Sequence, residues 1–521
     1  MRGLVIPKQS SRSIAMGLVR SLWTQARRDP GLIALADWAG RSVSYAHLAL
    51  AVGIAAGRLR DAGVRPGDRV LVCLPNGFDF VQAYYSVIAA GAIAVPVSPR
   101  LPAADFGRVL NDCHPSAAIT APGAEAPGPK VSLTLADLTH DAAEDDGAGQ
   151  AAARARRAMT LLEAAAAKAE DSPAAILYTS GTSGEPKGVM LSGEALAANA
   201  EAMGEVSASG PEDAHLCTLP LHHSFGATVS MNMPIATGGR IVFGGQFIPA
   251  GAARLIRRAR VTVWAGVPAM FAAMAERADV DPGDLDSLRM CISGGAALPG
   301  RVFRGFSDRF GIQIAEGYGL TEASPVVTAT RADDSVVSGA VGPPIPGVSV
   351  RIVDEFGEET PQGQAGEVCV SGPGVMLGYY GRPCDTSQVL RDGWLHTGDA
   401  GFIDEHGYLR ILDRQNDVIN TSGYKVYPVE VEETMRQHPA VDDCLVVGQP
   451  HPVRGEVVAA HVQLKPGARG VSERDLLLFC RRRLANYRAP ACVIIHEALP
   501  VNEMGKPSRQ LVRAQGEMTQ Q

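Results

Sequence analysis

Leu48, Ala51, Val52, Ala55 and Leu59 recur at the three- and four-residue intervals that line up one face of a helix. A Gly63-Val-Arg-Pro-Gly67 turn closes that helix. Residues 69–74 follow as a short apolar run of strand length, residues 78–90 as a second helix and residues 93–97 as a second strand. Strand, helix and strand repeated in this way predict a mostly parallel sheet covered by helices. Residues 141–170, rich in Ala, Asp, Glu and Arg, read as a surface helix with a flexible lead-in, a connector without chemistry.

Further along, Gly and Pro punctuate residues 340–400 heavily, at Gly342-Pro343-Pro344, Pro346-Gly347 and Gly372-Pro373-Gly374. Short alternating runs at 349–353 and 367–370 predict strands of a small β-rich part. A different pattern begins near Arg414, with a strand at 417–420, a helix at 428–437 and a strand at 444–448. The expected fold class is multidomain α/β. Residues 1–413 form a large N-terminal domain of two α/β subdomains plus a β-rich subdomain at about 335–413, and residues 414–521 a small, mobile α+β domain.

Length agrees, because 521 residues are too many for one hydrophobic core. Hydrophobic residues make up 46% and charged residues 20%, ordinary for a globular protein without membrane segments. The apolar stretch at 86–97 is too short to span a bilayer and contains Pro96, and the N-terminal residues form no signal-peptide core. A net charge of −7 supplies no basic excess for nucleic acid. Nine cysteines are scattered without a C-x-x-C pair, which predicts free thiols, no zinc site and a cytoplasmic setting.

The richest chemistry lies in Tyr178-Thr-Ser-Gly-Thr-Ser-Gly-Glu-Pro-Lys-Gly188, between two strand-like runs. Its glycines let backbone approach a bulky anion, its N–H groups and hydroxyls can donate to phosphate oxygens, and Lys187 adds positive charge. A Walker A loop is excluded, because Pro186 stands where that pattern requires glycine.

Five further segments follow: Leu219-Pro-Leu-His-His-Ser-Phe-Gly226, Gly317-Tyr-Gly-Leu-Thr-Glu322, Trp394-Leu-His-Thr-Gly-Asp399, residues 414–432, and Leu499-Pro-Val-Asn-Glu-Met-Gly-Lys506. In this order the six resemble the motifs of the adenylate-forming superfamily, which includes acyl-CoA synthetases, adenylation domains and beetle luciferases. The resemblance covers essentially the whole chain. It implies an ATP-dependent acid–thiol ligase that adenylates a carboxylic acid with release of pyrophosphate, then passes the acyl group to a thiol with release of AMP.

The resemblance also implies roles. Thr179, Ser180, Gly181, Thr182, Ser183, Gly184 and Lys187 would grip the pyrophosphate, Ser183 standing where threonine is commoner. Tyr318, between Gly317 and Gly319, would stack on adenine beside Gly294-Gly295-Ala296. Thr321 would donate to the α-phosphate, and Glu322 would coordinate Mg²⁺, an ion that prefers oxygen ligands. Asp399 would accept from both ribose hydroxyls, as an acceptor-only carboxylate can, with Arg414 in support. Lys506 would bridge the carboxylate and α-phosphate. Asn416 occupies the pivot position, where Asp or Lys is usual; asparagine tolerates unusual backbone angles. Ser422, Gly423 and Tyr424 would line the thiol tunnel. His223 would stand at the mouth of the acyl pocket with Phe225, Gly226 and Ser230, and His222 would be structural.

Amino-acid-activating relatives carry Asp after the Phe of the gating segment. Gly226 stands there, which leaves an α-ammonium without a buried partner. If the helix expected at 226–234 walls the pocket, the space is roomy and largely apolar, with Thr228 and Asn232 as its polar contacts; the alternative is that these side chains are core packing facing elsewhere. These features favour a fatty, aryl or polycyclic acid. No insertion of the kind carried by fatty acyl-AMP ligases is evident between Gly226 and Gly317, which favours coenzyme A as acceptor; an acyl carrier protein is the alternative. A catalytically degenerate nucleotide-binding protein is the reading from another class. Glu322, Asp399, Arg414 and Lys506, all present, speak against it.

Overall fold

The computed structural model describes residues 17–123, 131–139, 148–167, 172–179, 186–332, 334, 339–414, 417–421, 424–451, 454–468, 470–500, 509 and 511–513. Contacts divide the chain into two compact units: residues 1–350 with 370–396, and residues 351–369 with 397–521.

The first unit is built on two sheets. One has eight strands, in the order Val326–Ala329, Ile314–Gly319, Met290–Ser293, Val263–Gly266, Ala214–Cys217, Arg240–Phe243, Ile33–Asp37, Ser42–Ser44. Its six inner strands pair in parallel, and the two outermost pairings are antiparallel. The other has seven, in the order Gly378–Tyr379, Lys187–Ser192, Pro173–Thr179, Ile93–Pro96, Arg69–Cys73, Ala117–Thr120, Val131–Thr134. The predicted strands at 69–74 and 93–97 are here side by side and parallel. Val70, Leu71 and Val72 are all buried, as a parallel strand covered on both faces requires.

Helices Tyr45–Asp61 and Phe78–Ala89 fall where the spacing predicts them. Helix Ala148–Ala167 is more than a surface connector: Ala158, Leu162 and Ala166 are buried. It lies so close to helix Tyr45–Asp61 that a Cβ at Gly53 would stand 2.5 Å from the Ala158 carbonyl oxygen. Only glycine permits that approach.

In the second unit, residues 399–403 pair antiparallel with strand Leu409–Arg414, which sets Asp399 opposite Arg414 and Ala400 opposite Asp413. A second sheet has the order Tyr424–Val426, Ile419–Thr421, Gly455–Leu464, Val441–His451, with Cys492–His496 parallel to Gly455–Leu464. Helices Pro428–Arg436 and Glu473–Arg481 cover it, with Val431, Met435, Leu476 and Cys480 in the shared core. Ser472 and Asp475 form a capping box at the start of the latter helix.

The nine cysteines are free thiols, six of them buried. No helix among the described residues is long and apolar enough to cross a membrane.

Candidate active site

The phosphate loop begins and ends on adjacent strands. Thr179 and Lys187 face each other across the antiparallel pair Pro173–Thr179 and Lys187–Ser192. Ser180, Gly181, Thr182, Ser183 and Gly184, which connect them, lie outside the described residues. The short strand Gly378–Tyr379 pairs with Lys187–Ser192 on its other side, with Tyr379 opposite Val189.

A chain of contacts runs from this edge to the Gly317–Glu322 motif. Lys187 Nζ is 3.0 Å from Asp385 Oδ2 and lies 5.1 Å from the centre of the Tyr379 ring. The Tyr379 hydroxyl donates to Glu322 Oε1 at 2.8 Å, and the Met376 N–H donates to the Glu322 carbonyl at 2.8 Å. Burial, then the negative charge of Glu322, holds the Tyr379 phenol protonated well above its ordinary range. It is therefore a donor to the carboxylate.

Thr321 Oγ1 lies 3.0 Å from Ser224 Oγ, which joins the motif to the gating segment. The next residue, Phe225, places its ring against Gly294: a Cβ there would be 2.8 Å from the ring. Lys187, Tyr379, Glu322, Thr321, Ser224, Phe225 and Gly294 thus form one continuous edge. Gly295 and Ala296 are exposed beside Gly294, and Tyr318 is half-buried at the end of strand Ile314–Gly319. Gly319 is obligatory, because a Cβ would stand 2.0 Å from the Pro325 carbonyl oxygen.

Asn199, which the sequence reading missed, holds this loop from beneath. Its Nδ2 donates to the Val326 and Ala323 carbonyls at 2.7 and 3.3 Å, and the Val326 N–H donates back to Oδ1 at 3.1 Å. It is buried on helix Gly193–Val206. A buried polar residue in a run of alanines was the available signal, but it does not say which loop is bound. Tyr379 and Asp385 were also missed.

His222 and His223 have ring centres 4.6 Å apart. Burial, then the neighbouring His223, lowers the His222 pKa to about 3, so His222 is neutral at physiological pH. His223 is exposed. The helix expected at 226–234 contains one π turn, Thr228–Asn232, between helices Ser224–Ala227 and Met233–Thr237. Gly226 does not mark open space: a Cβ there would lie 2.2 Å from the Pro220 carbonyl oxygen. Thr228 donates to the Ser324 carbonyl at 3.0 Å, and Asn232 Oδ1 accepts from the Tyr85 hydroxyl at 3.1 Å. Thr228 is tied into the scaffold, and Asn232 is held through Oδ1, while its buried Nδ2 has no hydrogen-bond partner among the described residues. Ser230 is buried, and its hydroxyl has no partner among the described residues.

A cavity of ≈ 200 Å³ lies elsewhere in this unit, lined by Trp38, Leu216, Thr218, Phe247, Ile248 and Leu255 among others. None of its lining residues belongs to the edge described above. The convergence of polar groups, rather than that apolar hollow, marks the site.

In the second unit, Asp399 sits in a turn pinned by hydrogen bonds. Its N–H donates to Thr397 Oγ1 at 3.1 Å, the Thr397 hydroxyl donates to the Val368 carbonyl at 2.8 Å, and the Gly398 N–H donates to Glu367 Oε1 at 3.2 Å. The backbone of Arg414 lies opposite Asp399. Tyr424 is exposed and stacks on Tyr487, ring centres 4.6 Å apart. Asn416, Ser422, Gly423 and Lys506 lie outside the described residues.

Three residues beyond Lys506, Arg509 meets three carboxylates. It donates to Asp413 at 2.5 Å, to Glu432 at 2.8 Å and to Asp417 at 3.4 Å.

The AMP-binding enzyme family matches residues 22–380, and its C-terminal domain family, the AMP-binding enzyme C-terminal domain, matches residues 430–506. The chain belongs to the AMP-binding enzyme family. A feruloyl-CoA synthase from Amycolatopsis sp is 35% identical over 490 residues, covering 92% of this chain and 95% of the relative. A long-chain-fatty-acid–CoA ligase from Bacillus subtilis (strain 168) is 34% identical over 534 residues, covering 96% and 94%. The crystal structure of ATP-bound MatB from Rhodopseudomonas palustris matches with a TM-score of 0.83 and 32% identity, over 95% of this chain and 98% of that one. The family's fold, a large α/β part followed by a smaller C-terminal part, is the one found here.

Proposed function

We propose that this chain is an ATP-dependent, AMP-forming acyl-CoA ligase for an apolar carboxylic acid. The observation that carries this reading is the continuous edge from Lys187 through Tyr379, Glu322, Thr321 and Ser224 to Phe225, in a chain of the AMP-binding enzyme family. The relatives named above are ligases or synthases of coenzyme A thioesters, which favours coenzyme A over a carrier-protein thiol.

A carboxylate is a poor electrophile. Attack of its oxygen on the α-phosphorus of ATP forms a mixed anhydride and expels pyrophosphate. Negative charge gathers on the phosphate oxygens, so preorganised donors and cations are what the step needs. Lys187 and the loop from Thr179 to Gly184 would hold the departing pyrophosphate. Lys187 is already half-paired with Asp385, so a polyphosphate would share it or draw it away. Thr321 would donate to the α-phosphate, with Ser224 placed to donate to the same hydroxyl. Tyr318 and the 294–296 turn would face the adenine, and Asp399 with Arg414 would hold the ribose. Lys506 would supply the second cation.

Magnesium fits the donors present. Glu322 is a partly exposed carboxylate with Oε1 held by Tyr379; its Oε2 accepts no hydrogen bond from the described residues and could take a hard cation. Bound there, the ion would neutralise charge on the phosphates. In the second half-reaction the thiol attacks the acyl carbon and AMP leaves. Asn416 would be the pivot that exchanges Lys506 for the thiol tunnel at Ser422, Gly423 and Tyr424.

The acids named for the relatives, an aryl acid and long-chain fatty acids, share an apolar body, and Gly226 offers no carboxylate for an ammonium. Purified protein with ATP, magnesium, coenzyme A and either ferulic acid or a long-chain fatty acid is expected to yield AMP and the matching acyl-CoA by mass spectrometry. Acyl transfer to a holo carrier protein but not to coenzyme A would overturn the acceptor.

A further inference from the structure

The segment that carries Tyr379 is fastened on two sides. On one, the Tyr380 N–H donates to the Gly188 carbonyl at 2.7 Å and the Leu377 N–H to the Met190 carbonyl at 2.9 Å, which locks it to the strand that begins with Lys187. On the other, the Met376 N–H and the Tyr379 hydroxyl both bind Glu322, one through backbone and one through the carboxylate. The Tyr379 N–H donates to Thr386 Oγ1 at 2.9 Å, so its backbone is held too. Tyr379 is buried, whereas Glu322 and Lys187 are partly exposed. A buried phenol thus joins two partly exposed charged side chains, holding one oxygen of the carboxylate and facing the ammonium with its ring.

We propose that Tyr379 is a positioning residue for the metal carboxylate: its hydroxyl fixes Glu322 Oε1 and so commits Oε2 to a divalent cation brought in with the nucleotide. A ligating carboxylate left free would have to be ordered when the cation binds, and an outer hydrogen bond removes that requirement. The inference rests on the ligase reading for the presence of nucleotide and cation. It goes beyond that reading in giving a role to a residue outside the six motifs.

Tyr379→Phe in the full chain removes the hydroxyl but keeps the ring, and with it the packing and the Lys187 contact. The probe is Mn²⁺, titrated by electron paramagnetic resonance with a non-hydrolysable ATP analogue. The variant is expected to bind Mn²⁺ about 10–100-fold more weakly. Its binding of the analogue in EDTA and its thermal midpoint should match the parent protein. Unchanged Mn²⁺ affinity, or an equal loss of metal-free nucleotide binding, overturns the proposal. Should Tyr379→Phe fold poorly, Tyr379→His, which keeps a ring donor, is expected to retain Mn²⁺ binding better than Tyr379→Leu; equal losses in the two overturn it. A parent protein that binds no Mn²⁺ with the analogue sinks the nucleotide reading itself, and is recognised by that control alone.

Discussion

Lys187 in the first unit and Arg509 in the second are both cations held by carboxylates, yet their surroundings are built to different ends. Among the described residues Lys187 has one carboxylate partner, Asp385, and Glu322 gives one of its oxygens to Tyr379. Arg509 meets Asp413, Asp417 and Glu432 together, and the side chains of Asp413 and Glu432 are each only 4% exposed. Glu432 Oε1 also accepts from the Val446 N–H, and Asp413 Oδ2 from the Val429 N–H. A saturated buried network fixes a structure and has little left to offer a ligand. A partly satisfied, partly exposed one keeps donors and acceptors in reserve. The contrast separates charges that hold from charges that act.

The largest effect should come from breaking the holding cluster. Arg509→Met removes the cation that Asp413, Asp417 and Glu432 share, while Arg436 still reaches Glu432 and Arg513 still reaches Asp417, and should cost about 3–5 kcal/mol of stability. Denaturant unfolding checks this, and a change under about 1 kcal/mol would show that the cluster is not structural. Lys506→Ala is the complement. It should slow adenylation by about 10²–10³ and leave the unfolding midpoint unchanged; a normal rate of pyrophosphate exchange removes Lys506 from the chemistry.

Acid separates the two kinds of charge from a third, the buried neutral groups. Burial lowers the pKa of His215 to about 4, of His222 to about 3 and of His461 to about 4. Their unfolded forms take up a proton near 6.5. Below that pH the unfolded state binds more protons, so stability falls as pH drops from 6.5 towards 4. The slope is at most about 1.4 kcal/mol per pH unit for each histidine. Asp213 has its pKa lowered to about 2; burial opposes that shift, and hydrogen bonds from Arg289 and Thr262 outweigh it. Its contribution is therefore kept until far lower pH. His215, with no hydrogen-bond partner for either ring nitrogen among the described residues, is the cleanest probe. His215→Asn should flatten the decline between pH 6.5 and 4, and an unaltered slope contradicts the assignment.

The smallest effect is expected at Ser224→Ala. Losing one neutral hydrogen bond to Thr321 is worth about 0.5–1.5 kcal/mol, or roughly 2–10-fold in the adenylation rate. A loss in unfolding midpoint instead of rate would move Ser224 from the acting set to the holding one.

Much of the scaffold was legible because it rests on local periodicity. The runs at 69–74 and 93–97 and the helices around Leu48 and Phe78 declare themselves within a few residues. The motif loops were legible through resemblance, since Gly319 and Thr321 sit in a short, recognisable string. What escaped is set by distance or by backbone. Tyr379 and Glu322 are 57 residues apart, and no pattern along the chain predicts their meeting. Gly226 reads as spare room in one dimension, whereas in three it is the residue that lets Pro220 approach. The π turn at Thr228–Asn232 shares the apolar spacing of an α-helix, so the sequence left open whether Asn232 faces a pocket or packs in the core; its Oδ1 accepts from Tyr85. Helix Ala148–Ala167 looked like a surface connector because alanine carries little hydrophobic signal, although alanine is what lets helices pack closely.

The central claim is that this chain joins a carboxylic acid to AMP. Acid-dependent exchange of labelled pyrophosphate into ATP tests it most directly, across a panel from hydroxycinnamic to long-chain fatty acids. The account predicts exchange with at least one apolar acid, abolished by chelating magnesium and strongly reduced in Lys506→Ala. Exchange with none of them, from folded protein that binds ATP, would contradict it.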